Sequence, residues 1–338
     1  MKFTPIKYFN MLLKNNFTAK LILTIFFAFV IFRANAQTET SNVSANGIMI
    51  SYESFGKSTD PKIILINGTS AQMTDWPLAF CKNLAKQGYE VIRFDNRDVG
   101  LSTKLDDLGA PNWKAIAPFV KTCKPAPLPY TLMDMAKDVV GLMDALKIRK
   151  ANIVGASMGG AIAQLVAIHF PDRVLTLTTI SASSGDPNLP GPTPQASKAM
   201  STPAPVTTNL DSLATYLVNV YKTLGSTDDE ATLRKKAFEQ VSRSWYPEGG
   251  TRQVAAILVA DNCDRRSDLA KIRVPVMIIH GDMDPLVSPQ AAKEISAAIP
   301  YSELRIIRGM GHDFSTGFVN ILVGLVTKNA EKANRISD

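Results

Sequence analysis

Strand-like and helix-like segments alternate along most of this chain, and that alternation restricts it to an α/β architecture built on a parallel sheet. Apolar, β-branched stretches at Ile48–Phe55, Lys62–Ile66, Glu90–Phe94, 151–154, Val174–Ile180, 276–280 and 304–307 read as strands. Between them, 76–87, 132–146 and 159–169 carry apolar residues at helical spacing, and 316–328 reads as a closing helix. In 132–146, Leu132, Met135, Val139, Leu142, Met143 and Leu146 fall on one face. Parallel strands need crossover helices, which cover both faces of the sheet.

Two stretches interrupt the alternation. Residues 103–129 read as a loop, with prolines at 111, 118, 125, 127 and 129. Residues 184–268 begin Pro-rich (Pro187, Pro190, Pro192, Pro194, Pro203, Pro205) and turn helical at 210–224, 228–243 and 251–259. A long structured insertion between two core strands reads as a lid. Its larger apolar side chains, Met200, Tyr216, Val220, Tyr221, Phe238 and Trp245, either line a pocket or pack the lid itself.

The sharpest local signal is Gly155-Ala156-Ser157-Met158-Gly159, with a strand before it and a helix after it. In that context G-x-S-x-G reads as a nucleophile elbow. The turn is so tight that Gly155, Gly159 and Gly160 must stay small. Ser157 then sits above the sheet edge at a helix N-terminus, where the helix dipole favours negative charge.

A serine hydroxyl needs a general base. The chain has three histidines, and in this kind of elbow the partners follow in the order serine, acid, histidine. His169 closes the elbow's own helix and points away. His280 ends a core strand and reads as a buried, hydrogen-bonded histidine. His312 lies in the glycine-rich loop Gly309-Met310-Gly311-His312 after the last strand and is assigned as the base. The acid comes from His280-Gly281-Asp282-Met283-Asp284-Pro285. Asp284 is preferred there, Asp282 is read as holding the loop through backbone N–H groups, and Asp313 as facing away. Backbone donors for an oxyanion are assigned to Met158, directly after the nucleophile, and to Thr69 in the loop after the 62–66 strand. The chemistry requires neither a metal nor an organic cofactor.

The 338 residues carry a formal net charge of +7, which at first suggests a nucleic-acid or membrane-surface protein. Residues 1–36 supply Lys2, Lys7, Lys14, Lys20 and Arg33 and no acid, so the remainder is nearly neutral and holds no basic run for nucleic acid. This segment also carries an uncharged apolar run, 21–32, followed by Ala34-Asn35-Ala36. It reads as a signal peptide cleaved after Ala36, with 37–338 as the mature domain, exported to the periplasm or secreted, with no stable membrane association. An uncleaved anchor is the alternative. Three cysteines, Cys81, Cys123 and Cys263, cannot all pair within one molecule, and the sequence leaves open whether two of them do; none sits in a metal-like spacing, so buried or unpaired thiols are the leading expectation.

These stretches resemble the α/β-hydrolase superfamily, and most closely its esterase-type members similar to aclacinomycin methylesterases and short carboxylesterases. The matching residues are 65–68, Trp76-Pro77, 91–102, 155–160, 280–287 and 309–312. The resemblance implies an eight-stranded, mostly parallel sheet with a helical lid after its sixth strand. It also implies hydrolysis of a small-molecule ester. Two positions depart from the broad pattern: Asn67-Gly68 stands where many members have His-Gly, and Arg97-Asp98 where they often have Arg-Gly. Asp95 and Arg97 are expected to brace that second loop. A proline-iminopeptidase-type aminopeptidase stays open, with Asp228, Asp229 and Glu230 available to bind an amine. Acyl transfer and a ligand-binding homologue with little turnover also stay open.

Overall fold

The computed structural model describes residues 40–120 and 122–335; the segment read as a signal peptide lies outside them. The strands are β1 (Ser41–Ala45), β2 (Ile48–Phe55), β3 (Lys62–Ile66), β4 (Glu90–Phe94), β5 (Ala151–Ala156), β6 (Val174–Ile180), β7 (Val276–Gly281) and β8 (Glu303–Ile307). They form one sheet in the order β1-β2-β4-β3-β5-β6-β7-β8. The β1–β2 and β2–β4 pairs are antiparallel and the remaining pairs parallel. Expected strands and observed strands agree except for β1. Its polar sequence hides it, but Asn46-Gly47 joins it to β2 with positive φ at both residues, the two-residue hairpin turn that this dipeptide favours.

The principal helices are α1 (Leu78–Lys86), α2 (Leu132–Ala145), α3 (Met158–His169), α4 (Pro194–Ser201), α5 (Leu210–Thr223), α6 (Glu230–Arg243), α7 (Pro247–Ala260), α8 (Pro289–Ala298) and α9 (Val319–Ala330). Successive β3 side chains feed opposite faces of the sheet. Ile64 and Ile66 join a core with α2, α3 and α8, while Ile63 and Leu65 join one with α1 and α9. A run that is apolar at every position is what a strand buried on both faces needs. Helices α4 and α8 escaped the periodicity reading. Each nevertheless opens on a capping hydroxyl followed by proline, Thr193-Pro194 and Ser288-Pro289, which is a helix-start signal. The closing helix begins three residues later than expected, after a short turn at Thr316–Phe318.

Helices α4 to α7 lie between β6 and β7, where the lid was expected. Helices α5 and α6 bury Leu213, Ala214, Val218, Leu233, Ala237 and Val241 against each other, with Tyr221 and Trp245 packed alongside. The lid thus has its own small core. The 103–129 segment contains three short helical turns, and its Ile116 packs against Ala255 and Val259 of α7.

One expectation is corrected. Cys123 and Cys263 are joined by a disulfide across 140 residues, tying the 103–129 loop to the end of the lid. Partners this far apart leave no local spacing to read. Cys81 is a free thiol, fully buried beneath the sheet, and burial pushes it up to about 12. No helix among the described residues is long and apolar enough to cross a membrane.

Candidate active site

The chain order reverses where β3 and β5 pair, so loops from both sides of the sheet diverge at their C-terminal ends. Ser157 occupies that crevice. It stands between β5 and α3 with φ 54° and ψ −124°, a conformation a non-glycine residue adopts only under constraint. Its N–H donates to Ile180 O at 2.9 Å, which pins the turn to β6. The flanking glycines are required by space. A Cβ on Gly155 would stand 2.0 Å from Gly159 O, and one on Gly159 would stand 2.1 Å from Ile66 O.

The structure brings the three assigned side chains together. His312 Nε2 lies 3.0 Å from Ser157 Oγ, and His312 Nδ1 lies 2.7 Å from Asp284 Oδ2. Asp284 Oδ1 accepts the N–H groups of Leu286 and Val287, both at 2.9 Å. Burial alone would raise the Asp284 carboxyl, but the His312 and His280 rings hold it well below the usual carboxylate range. An ionised Asp284 accepts only, so the ring proton of His312 belongs on Nδ1. Nε2 is then free to accept from the Ser157 hydroxyl.

The other candidates are elsewhere. Asp282 Oδ1 accepts from Gly309 N–H at 2.6 Å and so ties the acid loop to the loop of His312. Asp313 accepts from Ser315 Oγ. His169 is exposed at the end of α3. Asp228 and Asp229 are occupied by Thr316 and by the N-terminus of α6, and Glu230 pairs with Lys222.

The loop after β3 runs beside the nucleophile. A Cβ on Gly68 would be 3.1 Å from the Ser157 Cβ. Asn67, in the position where histidine was the broader expectation, spends its amide on Gln72 O at 2.6 Å and is buried. Thr69 follows directly, and Ser70 then turns through φ 61°. Met158 N–H is the first of α3 and has no partner inside the helix. Among the described residues no group of three or more His, Cys, Asp or Glu side chains is placed to hold a metal ion.

Several contacts to this site were missed from sequence, and they come from the lid. Leu224 O accepts His312 N–H at 2.7 Å, and Pro285 O accepts Thr193 N–H at 2.8 Å. Gln253 Oε1 accepts Ser70 N–H at 2.7 Å, while its Nε2 donates to Arg97 O. Arg243 pairs with Asp95 and Arg252 with Asp98, and all four side chains are largely buried. Asp98 takes φ 69°, a conformation natural for glycine and costing another residue about 1–2 kcal/mol. The bidentate Arg252 contact offsets that cost and explains an aspartate there. Arg97 pairs with Asp138, and Asp95 accepts Met73 and Leu101 N–H groups, so both brace their loop as expected.

Gln253→Ala leaves Ser70 N–H without its acceptor and frees the turn that carries Thr69. The expected result is a fall in kcat of about tenfold to a hundredfold with a smaller change in KM, measured on an ester substrate.

A model of the alpha/beta hydrolase fold matches residues 61–315. Rhodomycin D methylesterase DauP of Streptomyces sp. (strain C5) is 27% identical, covering 81% of this chain and 92% of that protein. A 3-oxoadipate enol-lactonase of Acinetobacter baylyi is 25% identical over 78% of this chain and 87% of its own length. Among solved structures, a meta-cleavage product hydrolase from Pseudomonas fluorescens superimposes with a TM-score of 0.67 at 20% identity, over 88% of this chain and all of that one. That last likeness concerns the fold.

Proposed function

This chain belongs to the alpha/beta hydrolase fold family, and from that premise we propose that it is an exported serine hydrolase that cleaves small carboxylic esters through an acyl-enzyme. The observation that carries the proposal is the unbroken line of contacts from Asp284 through His312 to Ser157. His312 takes the Ser157 proton as Oγ attacks the ester carbonyl. Met158 and Thr69 N–H groups stabilise the oxyanion; one such donor is typically worth about 2.7–4 kcal/mol in the transition state. The imidazolium, stabilised by Asp284, protonates the leaving alcohol. His312 then activates water, which releases the acid and restores Ser157.

Methylesterases among the relatives support an ester as substrate. The aminopeptidase alternative loses support because Asp228, Asp229 and Glu230 are engaged within the lid and its neighbours. The test is p-nitrophenyl acetate and a series of methyl esters. The expected result is a burst of p-nitrophenol stoichiometric with enzyme, followed by slower turnover. Absence of hydrolysis across the series would overturn the reading.

Export is part of the proposal. Its support is the basic, apolar, small-residue succession of 1–36 together with the Cys123–Cys263 disulfide, a bond that persists in oxidising compartments. Protein recovered outside the cytoplasm should begin at Gln37. Folded, it should react with no thiol reagent, because Cys81 is buried; unfolded without reductant, it should show one thiol. A start at Met1, or three reactive thiols, would count against export.

A further inference from the structure

His280 is the penultimate residue of β7, four residues before Asp284, and the mechanism above does not use it. Its side chain is fully buried. Nε2 lies 2.9 Å from Val287 O and 3.2 Å from Asp284 Oδ2. Both of these atoms can only accept: one is a carbonyl and the other belongs to a carboxyl held ionised. The ring proton therefore sits on Nε2, bonded to Val287 O and facing Asp284 Oδ2 at the longer distance. Nδ1 is buried and has no hydrogen-bond partner among the described residues.

Asp284 is otherwise held on one side only. Its Oδ1 takes the two backbone N–H groups of Leu286 and Val287, while Oδ2 faces His312. The ionisable side chains in contact with it are His280, from the end of β7, and His312, from the loop after β8. The geometry points to His280 as a positioning residue, whose Nε2–H fixes Asp284 Oδ2 so that its remaining lone pair is aimed at His312 Nδ1. This rests on the serine-hydrolase reading of Ser157, His312 and Asp284. The donor has a second effect. It draws negative charge from Oδ2, which makes the carboxylate a weaker stabiliser of the imidazolium than it would otherwise be. Removing it should therefore alter the pH profile of the reaction as well as its rate.

The experiment is the pH profile of ester hydrolysis for wild type, His280→Leu and His280→Gln, since glutamine sets an amide N–H close to where Nε2 stood. The leucine variant should lose about tenfold in kcat, with KM changed by less than about twofold. The acid limb of its kcat/KM profile should move up by about half a pH unit. The glutamine variant should recover most of both. A folded leucine variant with wild-type kcat and acid limb, or a glutamine variant no better than leucine, would overturn the assignment. If the leucine variant does not fold, histidine-labelled nitrogen NMR of the wild-type protein decides. The neutral His280 ring should carry its proton on Nε2, and a proton on Nδ1 refutes the proposal. The NMR result stands even if no ester is hydrolysed, so failure of the positioning role and failure of the hydrolase reading can be told apart.

Discussion

Replacing Ser157 with alanine should lower kcat for p-nitrophenyl esters by about 10⁶-fold, the scale on which removing a serine nucleophile acts elsewhere. The size of the effect follows from the geometry. In the proposed mechanism Oγ is the atom that forms the covalent bond, and His312 Nε2 stands 3.0 Å away to take its proton. A substituted water would have to attack without the alignment that φ 54° imposes on this side chain. About 10³–10⁴-fold acceleration over water should survive, because the Met158 and Thr69 N–H groups and the lid contacts remain. Stability should change little, since Oγ gives the fold only its bond to His312. Stopped-flow measurement of the burst checks both parts: the alanine variant should show none, and equal release by both proteins would sink the acyl-enzyme.

Asp284→Asn should cost about 10⁴-fold in kcat with the backbone undisturbed. An asparagine oxygen can still accept from Leu286 and Val287 N–H, so its NH₂ takes the place of Oδ2, facing His312 and opposing the His280 Nε2–H. The ring then accepts at Nδ1 and carries its proton on Nε2, facing Ser157 as a donor when the reaction needs an acceptor there. Stability should respond to pH as well. The folded carboxyl is held below its ordinary range, so its ionised form stabilises the fold above the unfolded value of about 3.9, and this is lost as pH falls through the folded value. Thermal melts below about pH 4 should therefore fall less steeply for the asparagine variant. An unchanged kcat would remove Asp284 from the mechanism and return attention to Asp282.

Much of this was legible in the residues because it is local or ordered by chain direction. Ile63 to Ile66 read as a strand because a parallel strand is apolar on both sides, and Ser157 stood out because only glycines fit around its turn. His312 and Asp284 followed by elimination among few candidates, in loops that must end at the same sheet edge. Strand β1 and helices α4 and α8 were missed for a different reason. Their signals, Asn46-Gly47, Thr193-Pro194 and Ser288-Pro289, lie at element ends, while periodicity is read along element middles.

By itself the sequence determined the sheet, the elbow and the three side chains that meet at it, since each depends on steric demands within a few residues or on the fixed direction of parallel strands. Tertiary structure alone decided what holds that site in shape. The Cys123–Cys263 bond, the Arg252–Asp98 and Arg243–Asp95 pairs, the Gln253 bond to Ser70 and the His280 contact on Asp284 are choices of partner. Four of these five bind residues more than a hundred positions apart, where no spacing rule operates. His280 lies only four residues from Asp284, yet whether its ring reaches the carboxylate depends on the turn the loop takes after β7, which packing sets.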